Sequence, residues 1–482
     1  MVKFTDVAIG KIAPEIFGHF AEHIGGVIYN GIWVGKDSSV PNVEGFRLSA
    51  IEKLRDIHPP VIRWPGGCFV ETYNWRDGIG KNRPTRLSWW TKDDGRHETN
   101  EFGTHEFLRF CELVGAKPYI AINVTSMTPM DARDYVDYCT SPAGSTALAR
   151  LREENGHKEP FDIPFWGIGN ENWGGGGTMT AEQYALTYRL YASCVRNAAP
   201  NAQLVAGACN VHGYGWAETF ADRLKIESGT PVAVDAVSLH HYCGCGDAIT
   251  FEKEEWNQIL ENAFKMEELV DRHRAIFRAV GKKNLSLYVD EWGCMHPKGS
   301  EVSQEKYLFE QQSTMRDAVI AVYYLNLFMN RCDFVKMSNI AQLINCLHSL
   351  FLADGDKFTV TPTYYVYKML VPFMNAECLL TETDDKRLSV AAAHTEDGIV
   401  VSLANLSYGE KKTVSLEHFA SDVDLSHAEV TLLGDGDPHA HNTFDAPNRV
   451  LPTVKEMDVS QGFTLPAASV AVLKLRDCKK QN

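Results

Sequence analysis

The chain has 482 residues, 44% of them hydrophobic and 23% charged, which excludes a disordered, collagen-like or disulfide-miniprotein class. At about 150 residues per domain, this length accommodates roughly two to four domains. Its 62 acidic against 47 basic side chains leave a net charge of −15, with no Lys/Arg-rich cluster. That balance argues against a partner bound through its phosphates and favours a small or neutral one.

No stretch approaches the ~20 apolar residues that span a bilayer. The first residues, MVKFTDVAIGKIAPEIFGHF, have neither a basic nor an apolar leader region, so the expectation is a cytoplasmic protein. Twelve cysteines fit reduced thiols in that compartment. Cys243, Cys245, Cys294 and His296 are the nearest thing to a ligand cluster, but their spacing matches no zinc pattern, so no metal is expected.

Along the chain, short β-rich apolar runs alternate with helical periodicity. The runs are 15–22 (EIFGHFAE), 60–65 (PVIRWP), 118–124 (PYIAINV), 165–171 (FWGIGNE), 204–209 (LVAGAC), 236–242 (AVSLHHY), 285–291 (LSLYVDE) and 335–342 (VKMSNIAQ). Amphipathic stretches between them, such as 104–114, 181–197 and 256–280, read as helices. Eight such units predict a (β/α)₈ barrel over residues 12–372, with an open doubly wound sheet as the alternative. After Pro372 the runs LSVAAAH, GIVVSLANL, KTVSLEHF, AEVTLLG and SVAVLKL alternate apolar with polar residues. They predict a C-terminal antiparallel, jelly-roll-like β-sandwich over 373–482. The opening run VKFTDVAIG shares that texture, so residues 1–11 are assigned to the sandwich as well.

In a (β/α)₈ barrel, chemistry gathers at the C-terminal strand ends. The predicted strands end on Glu22, Arg63, Asn170-Glu171, His240-His241-Tyr242, Asp290-Glu291 and Gln342. Glu171 and Glu291 each close an apolar strand and are soon followed by a Trp and a Gly, in NENWGG and DEWG. Such a setting is expected to raise a carboxyl pKa, as a general acid requires. Two carboxyl groups across one barrel mouth are the apparatus of glycoside hydrolysis. Trp64, Trp89 and Trp90 offer faces on which a sugar chain can stack.

The segments FGHFAEHIGGVIYNGIWVG, VIRWPGGCFVETYNWRDGIG, ETNEFGTHEF, WGIGNENWGGGG, VDEWG and NIAQLINCL, in this order, resemble glycoside hydrolase family 51. Typical members are α-L-arabinofuranosidases. The resemblance implies a retaining double displacement with Glu171 as acid/base and Glu291 as nucleophile. It also implies a sugar pocket of Glu22, Arg63, Cys68, Asn170, His240, Tyr242, Gln342 and Trp90. Cys68 stands where members carry either Asn or Cys. No metal or organic cofactor is called for, and a homo-oligomer, often a hexamer, is implied. The activity expected is exo-hydrolysis of α-L-arabinofuranosyl groups from arabino-oligosaccharides, arabinan or arabinoxylan fragments. The rivals are a β-xylosidase or β-glucanase on the same scaffold and a non-catalytic carbohydrate-binding protein.

Overall fold

The computed structural model describes residues 1–88, 97–225, 232–297, 307–418 and 423–477. Eight strands close into a barrel: Gly18–Phe20, Val61–Trp64, Lys117–Ile122, Phe165–Ile168, Gln203–Ala206, Ala236–Cys243, Ser286–Cys294 and Val335–Ala341. Each pairs with its successor in sequence and the eighth closes on the first, which excludes the open sheet. Neighbouring strands run parallel, as in His19 beside Ile62 and Arg63 beside Tyr119. Helices such as Thr104–Val114, Ala181–Ala198 and Lys253–Ala279 make the crossovers. Their starts are written locally. Thr180, for example, accepts from the Gln183 N–H, and the Gln183 side chain returns a bond to the Thr180 N–H.

The observed strands are shorter than the apolar runs at several C-terminal ends. Residues 14–17 form a 3₁₀ turn ahead of the first strand, and Glu22, Asn170 and Glu171 lie just beyond their strands. At Gly169 φ is +82°, and a Cβ there would lie 2.2 Å from Asn172 Oδ1. The fourth strand therefore stops at Ile168 and hands the chain to a turn.

The chain groups into two compact units. One comprises Gly18–His241 and Glu268–Trp292; the other comprises Met1–Phe17, Tyr242–Glu267 and Gly293–Asn482. The second unit contains an eight-stranded sheet and a two-stranded sheet, Lys412–Val414 with Phe463–Leu465. Val2–Lys11 enters the larger sheet antiparallel to Glu377–Thr383 and parallel to Leu416–His418. Both sheets feed one apolar core that includes Val2, Phe4, Leu379, Leu403, Val414, Phe463 and Leu473.

The helix Met315–Met329 in that unit is buried around nearly its whole circumference. Asn326 Nδ2 donates to Ser389 Oγ at 3.0 Å, and Asn330 Nδ2, just past its end, donates to the Val390 carbonyl at 2.8 Å. Among the described residues no helix is long and apolar enough to cross a membrane.

Phe4 is fully buried although it lies near the start of the chain. Replacing it with Ala should cost about 3–5 kcal/mol. The loss should appear as a lowered midpoint in chemical denaturation; an unchanged midpoint would mean that the first strand adds nothing to the sheet.

Candidate active site

The first unit brings together residues from the ends of five barrel strands. Arg63, in the second strand, is 1% exposed, so its permanent charge must be met by fixed partners. Nη1 lies 2.8 Å from Glu291 Oε2, Nη2 donates to Asn170 Oδ1 at 2.6 Å, and Nε lies 3.7 Å from Asp290 Oδ2. Asp290 also accepts from the hydroxyls of Tyr119 (2.7 Å) and Ser238. Burial alone would raise the Asp290 carboxyl, but Arg63, His240 and Ser238 bring it down to about 2.

His240, in the sixth strand, bridges the carboxyl groups. Nδ1 is 2.8 Å from Glu171 Oε1 and 3.4 Å from Glu291 Oε2. On the other side of the ring, Nε2 is 3.0 Å from Ser238 Oγ and 3.3 Å from Asp290 Oδ1. Burial disfavours the imidazolium, yet Glu291, Asp290 and Glu171 together push its pKa up to about 10. The ring is therefore charged at neutral pH and donates from both nitrogens.

That proton corrects one expectation about Glu171. Burial raises its carboxyl as anticipated, but the hydrogen bond and charge of His240, with the charges of Arg63 and His212, outweigh it. The net shift is downward. The apolar, aromatic setting is only partly present. Trp292 is fully buried, whereas Trp173 is half-buried and packs edge-on against His212 at 5.4 Å between ring centres.

Glu22, by contrast, is pushed up to about 8 by burial and by Glu291. Its Oε1 accepts from the Phe69 N–H at 3.2 Å. A Cβ on Gly67 would come within 2.7 Å of both Glu22 oxygens, which explains the glycine pair in WPGGC.

Cys68 lies at the same cluster. Asn170 Nδ2 is 3.7 Å from its sulfur, and the sulfur is 3.9 Å from Glu171 Oε2. Burial raises this thiol well above its ordinary pKa, so it is present as the neutral SH group.

Of the anticipated site residues, Glu22, Arg63, Cys68, Asn170, Glu171, His240 and Glu291 thus belong to this one unit. Tyr242 and Gln342 belong to the other unit, where Tyr242 is half-buried and Gln342 fully buried. Trp90 and Trp89 fall outside the described residues. Trp64 offers no stacking face to a sugar. It is fully buried, stacks on Phe107 at 4.9 Å and donates from Nε1 to His23 Nε2.

Sequence reasoning gave no role to Asp290, Ser238, Tyr119 or Glu71. Ser238 sits two residues before His240 on the same strand, so strand alternation places both on one face, a usable signal. Glu71 lies in a 3₁₀ turn, Cys68–Thr72, where no periodicity marks it.

Two clusters have the donor types of a metal site. Glu171, His240 and Glu291 offer atoms within 4.8 Å of one another, as do Cys294, His296 and Asp317. In each, protein cations already supply the positive charge: Arg63 and His240 in the first, Arg316 in the second, 3.1 Å from His296 Nε2. Cys243 lies 3.9 Å, sulfur to sulfur, from Cys294, while Cys245 turns away to Gln258.

The sequence matches an α-L-arabinofuranosidase 1 domain over residues 53–243 and an α-L-arabinofuranosidase C-terminal domain over 290–469. An intracellular exo-α-L-arabinofuranosidase of Bacteroides ovatus is 34% identical over 491 aligned positions, covering 96% of this chain and 93% of its own. The chain belongs to glycoside hydrolase family 51. It is accordingly a glycoside hydrolase, and solved members of the family share its architecture. The family 51 arabinofuranosidase of Xanthomonas axonopodis pv. citri has a TM-score of 0.90 at 33% identity, over 98% of this chain and 99% of its own. An arabinose complex of the Thermotoga maritima α-L-arabinofuranosidase has a TM-score of 0.81 at 28% identity, over 98% of each chain.

Asp290→Asn removes one of the negative charges that hold the proton on His240. Its imidazolium should then titrate at lower pH than in the wild type, measured by NMR of the ring. An unchanged or higher titration point would contradict the charge arrangement described above.

Proposed function

We propose that this family 51 member is a retaining, exo-acting α-L-arabinofuranosidase. It removes terminal non-reducing α-L-arabinofuranosyl groups from arabino-oligosaccharides or from arabinan and arabinoxylan fragments. The observation that supports the mechanism is the approach of the Glu171 and Glu291 carboxyl groups, one oxygen of each lying within 4.8 Å of the other. A retaining pair stands about 5–5.5 Å apart, whereas an inverting pair leaves roughly 6.5–9.5 Å for an intervening water.

In this reading Glu291 attacks the anomeric carbon and forms a glycosyl ester. Arg63, 2.8 Å from its Oε2, orients that carboxylate. Glu171 protonates the departing oxygen and then deprotonates the water that cleaves the ester. Its low resting pKa makes His240 the proton's place in the free enzyme, 2.8 Å away from Glu171 Oε1. Entry of a sugar, by excluding water and drawing on the negative charge of Glu291, favours transfer of that proton to Glu171. Glu22, largely protonated at neutral pH, can donate to a sugar hydroxyl as well as accept from one. Asn170 and Cys68 border the same space and are assigned to the glycone.

The catalytic barrel is taken as residues 12–372 and the β-sandwich as 1–11 with 373–482. A cytoplasmic location is supported by the Bacteroides relative, an intracellular exo-α-L-arabinofuranosidase. A homo-oligomer rests on the family resemblance alone.

The test is hydrolysis of 4-nitrophenyl α-L-arabinofuranoside by wild type, Glu171→Ala and Glu291→Ala, with and without azide. Glu171→Ala should lose about 10²–10⁴-fold on substrates whose leaving group needs a proton. On the nitrophenyl glycoside it should be rescued by azide, giving the α-arabinosyl azide by NMR. Glu291→Ala should be inactive or yield the β-azide. An inverted product from the wild type would overturn the double displacement, and turnover confined to xylosides or glucosides would overturn the glycone.

A further inference from the structure

The carboxyl group of Glu71 is buried beneath the turn that carries Asn170 and Glu171, and the chemistry described above makes no use of it. Its residue is 4% exposed and its side chain is surrounded by donors from two other strand ends. Oε1 accepts from the backbone N–H of Asn170 at 2.9 Å and from Asn172 Nδ2 at 3.1 Å. Oε2 accepts from Thr125 Oγ1 at 2.5 Å, and the Val124 N–H adds a further bond to the carboxyl. Thr125 Oγ1 and Asn172 Nδ2 also both reach the Gly176 carbonyl, at 3.1 and 2.6 Å. One carboxyl from the loop after the second strand thereby ties together the loops after the third and fourth.

The fourth-strand turn needs such a tie. Glu171 has φ of +42°, a conformation that a non-glycine residue seldom adopts unless its surroundings impose it. The N–H of Asn170 comes directly after the last ladder bonds of the strand and would otherwise be a buried orphan donor. The Asn170 side chain is already committed to Arg63 and Cys68, so only the backbone is available for anchoring.

We infer that Glu71 is a positioning residue for the reaction: it holds the Asn170–Glu171 backbone so that the Glu171 carboxyl lies against the leaving-group oxygen. This rests on the assignment of Glu171 as acid/base. Glu71 itself touches neither substrate nor reacting atom.

A purely structural carboxyl and a positioning one differ in how their loss depends on the leaving group. Methanol leaves only with a proton, whereas 4-nitrophenolate leaves with little help. The comparison therefore uses methyl and 4-nitrophenyl α-L-arabinofuranosides with wild type, Glu171→Ala, Glu71→Gln and Glu71→Ala. For a misplaced acid, kcat/KM on the methyl glycoside should fall about 10–100-fold in the Glu71 variants, since displacements near 1 Å carry costs of that order. On the nitrophenyl glycoside it should fall by less than about 3-fold, with kcat lowered and raised again by azide as deglycosylation slows.

Equal losses of kcat/KM on both glycosides, without an azide response, would overturn the inference and leave Glu71 as scaffold. If Glu171→Ala itself lacks the leaving-group dependence and the azide rescue, the acid/base assignment fails and takes the inference with it. Should Glu71→Ala not fold, Glu71→Gln and Thr125→Val carry the same comparison, with folding checked by circular dichroism and thermal melting.

Discussion

A guanidinium with 1% exposure cannot shed its proton and cannot reach water, so everything around Arg63 is arranged to answer its charge. Glu291, Asp290 and the Asn170 amide oxygen lie on separate faces of the fork, and the Phe20 and Tyr119 rings lie 4.5 and 5.9 Å from its carbon. These partners come from the first, third, fourth and seventh strands or their ends. A closed barrel is what lets elements so distant in sequence meet one side chain. Truncating any single partner would leave a buried charge short of compensation, a more serious fault than the loss of one hydrogen bond.

The second charge, on His240, follows from the first. With Asp290 held near pKa 2 and Glu171 held low, the pocket has more negative charge than Arg63 can balance, and a proton settles on the imidazole. Glu22 completes the balance by remaining protonated under its own burial. Four carboxyl groups thus converge without four full negative charges. On the proposed mechanism, the proton for the leaving group is held on His240 in the free enzyme, 2.8 Å from Glu171 Oε1.

Much of this was legible in the chain. The eight apolar runs are the eight strands because parallel barrel strands are buried on both faces and read as short continuous hydrophobic segments. The polar residues at their ends mark the site because side chains beyond an apolar run have nowhere else to go. The electrostatics were not legible. Glu171 reads as a raised carboxyl from its Trp and Gly neighbours, but the groups that lower it, His240 and Arg63, lie far after and far before it in the chain, and only barrel closure joins them. Trp64 fails as a stacking platform for a related reason. Its run gives the period of a strand but not that Phe107 stacks on the ring and His23 takes its N–H. Glu71 was invisible because its partners are backbone N–H groups and short polar side chains, which leave no pattern in sequence.

The antiparallel partner of the first strand has a consequence for the order in which the molecule assembles. Val2 faces Thr383 and Gly10 faces Cys378, so the opening strand has no antiparallel neighbour until most of the chain exists. At roughly 5–20 residues per second of synthesis, that interval is on the order of 20–75 s. Throughout it, a β-rich segment with an unpaired edge remains tethered to a growing chain while the barrel strands that follow emerge one by one. The alternation of Val2 and Phe4 with polar neighbours must therefore wait for its match rather than find one nearby. The polar and charged positions that follow, Thr5 and Asp6, interrupt the apolar alternation and limit what that edge offers a wrong partner in the meantime.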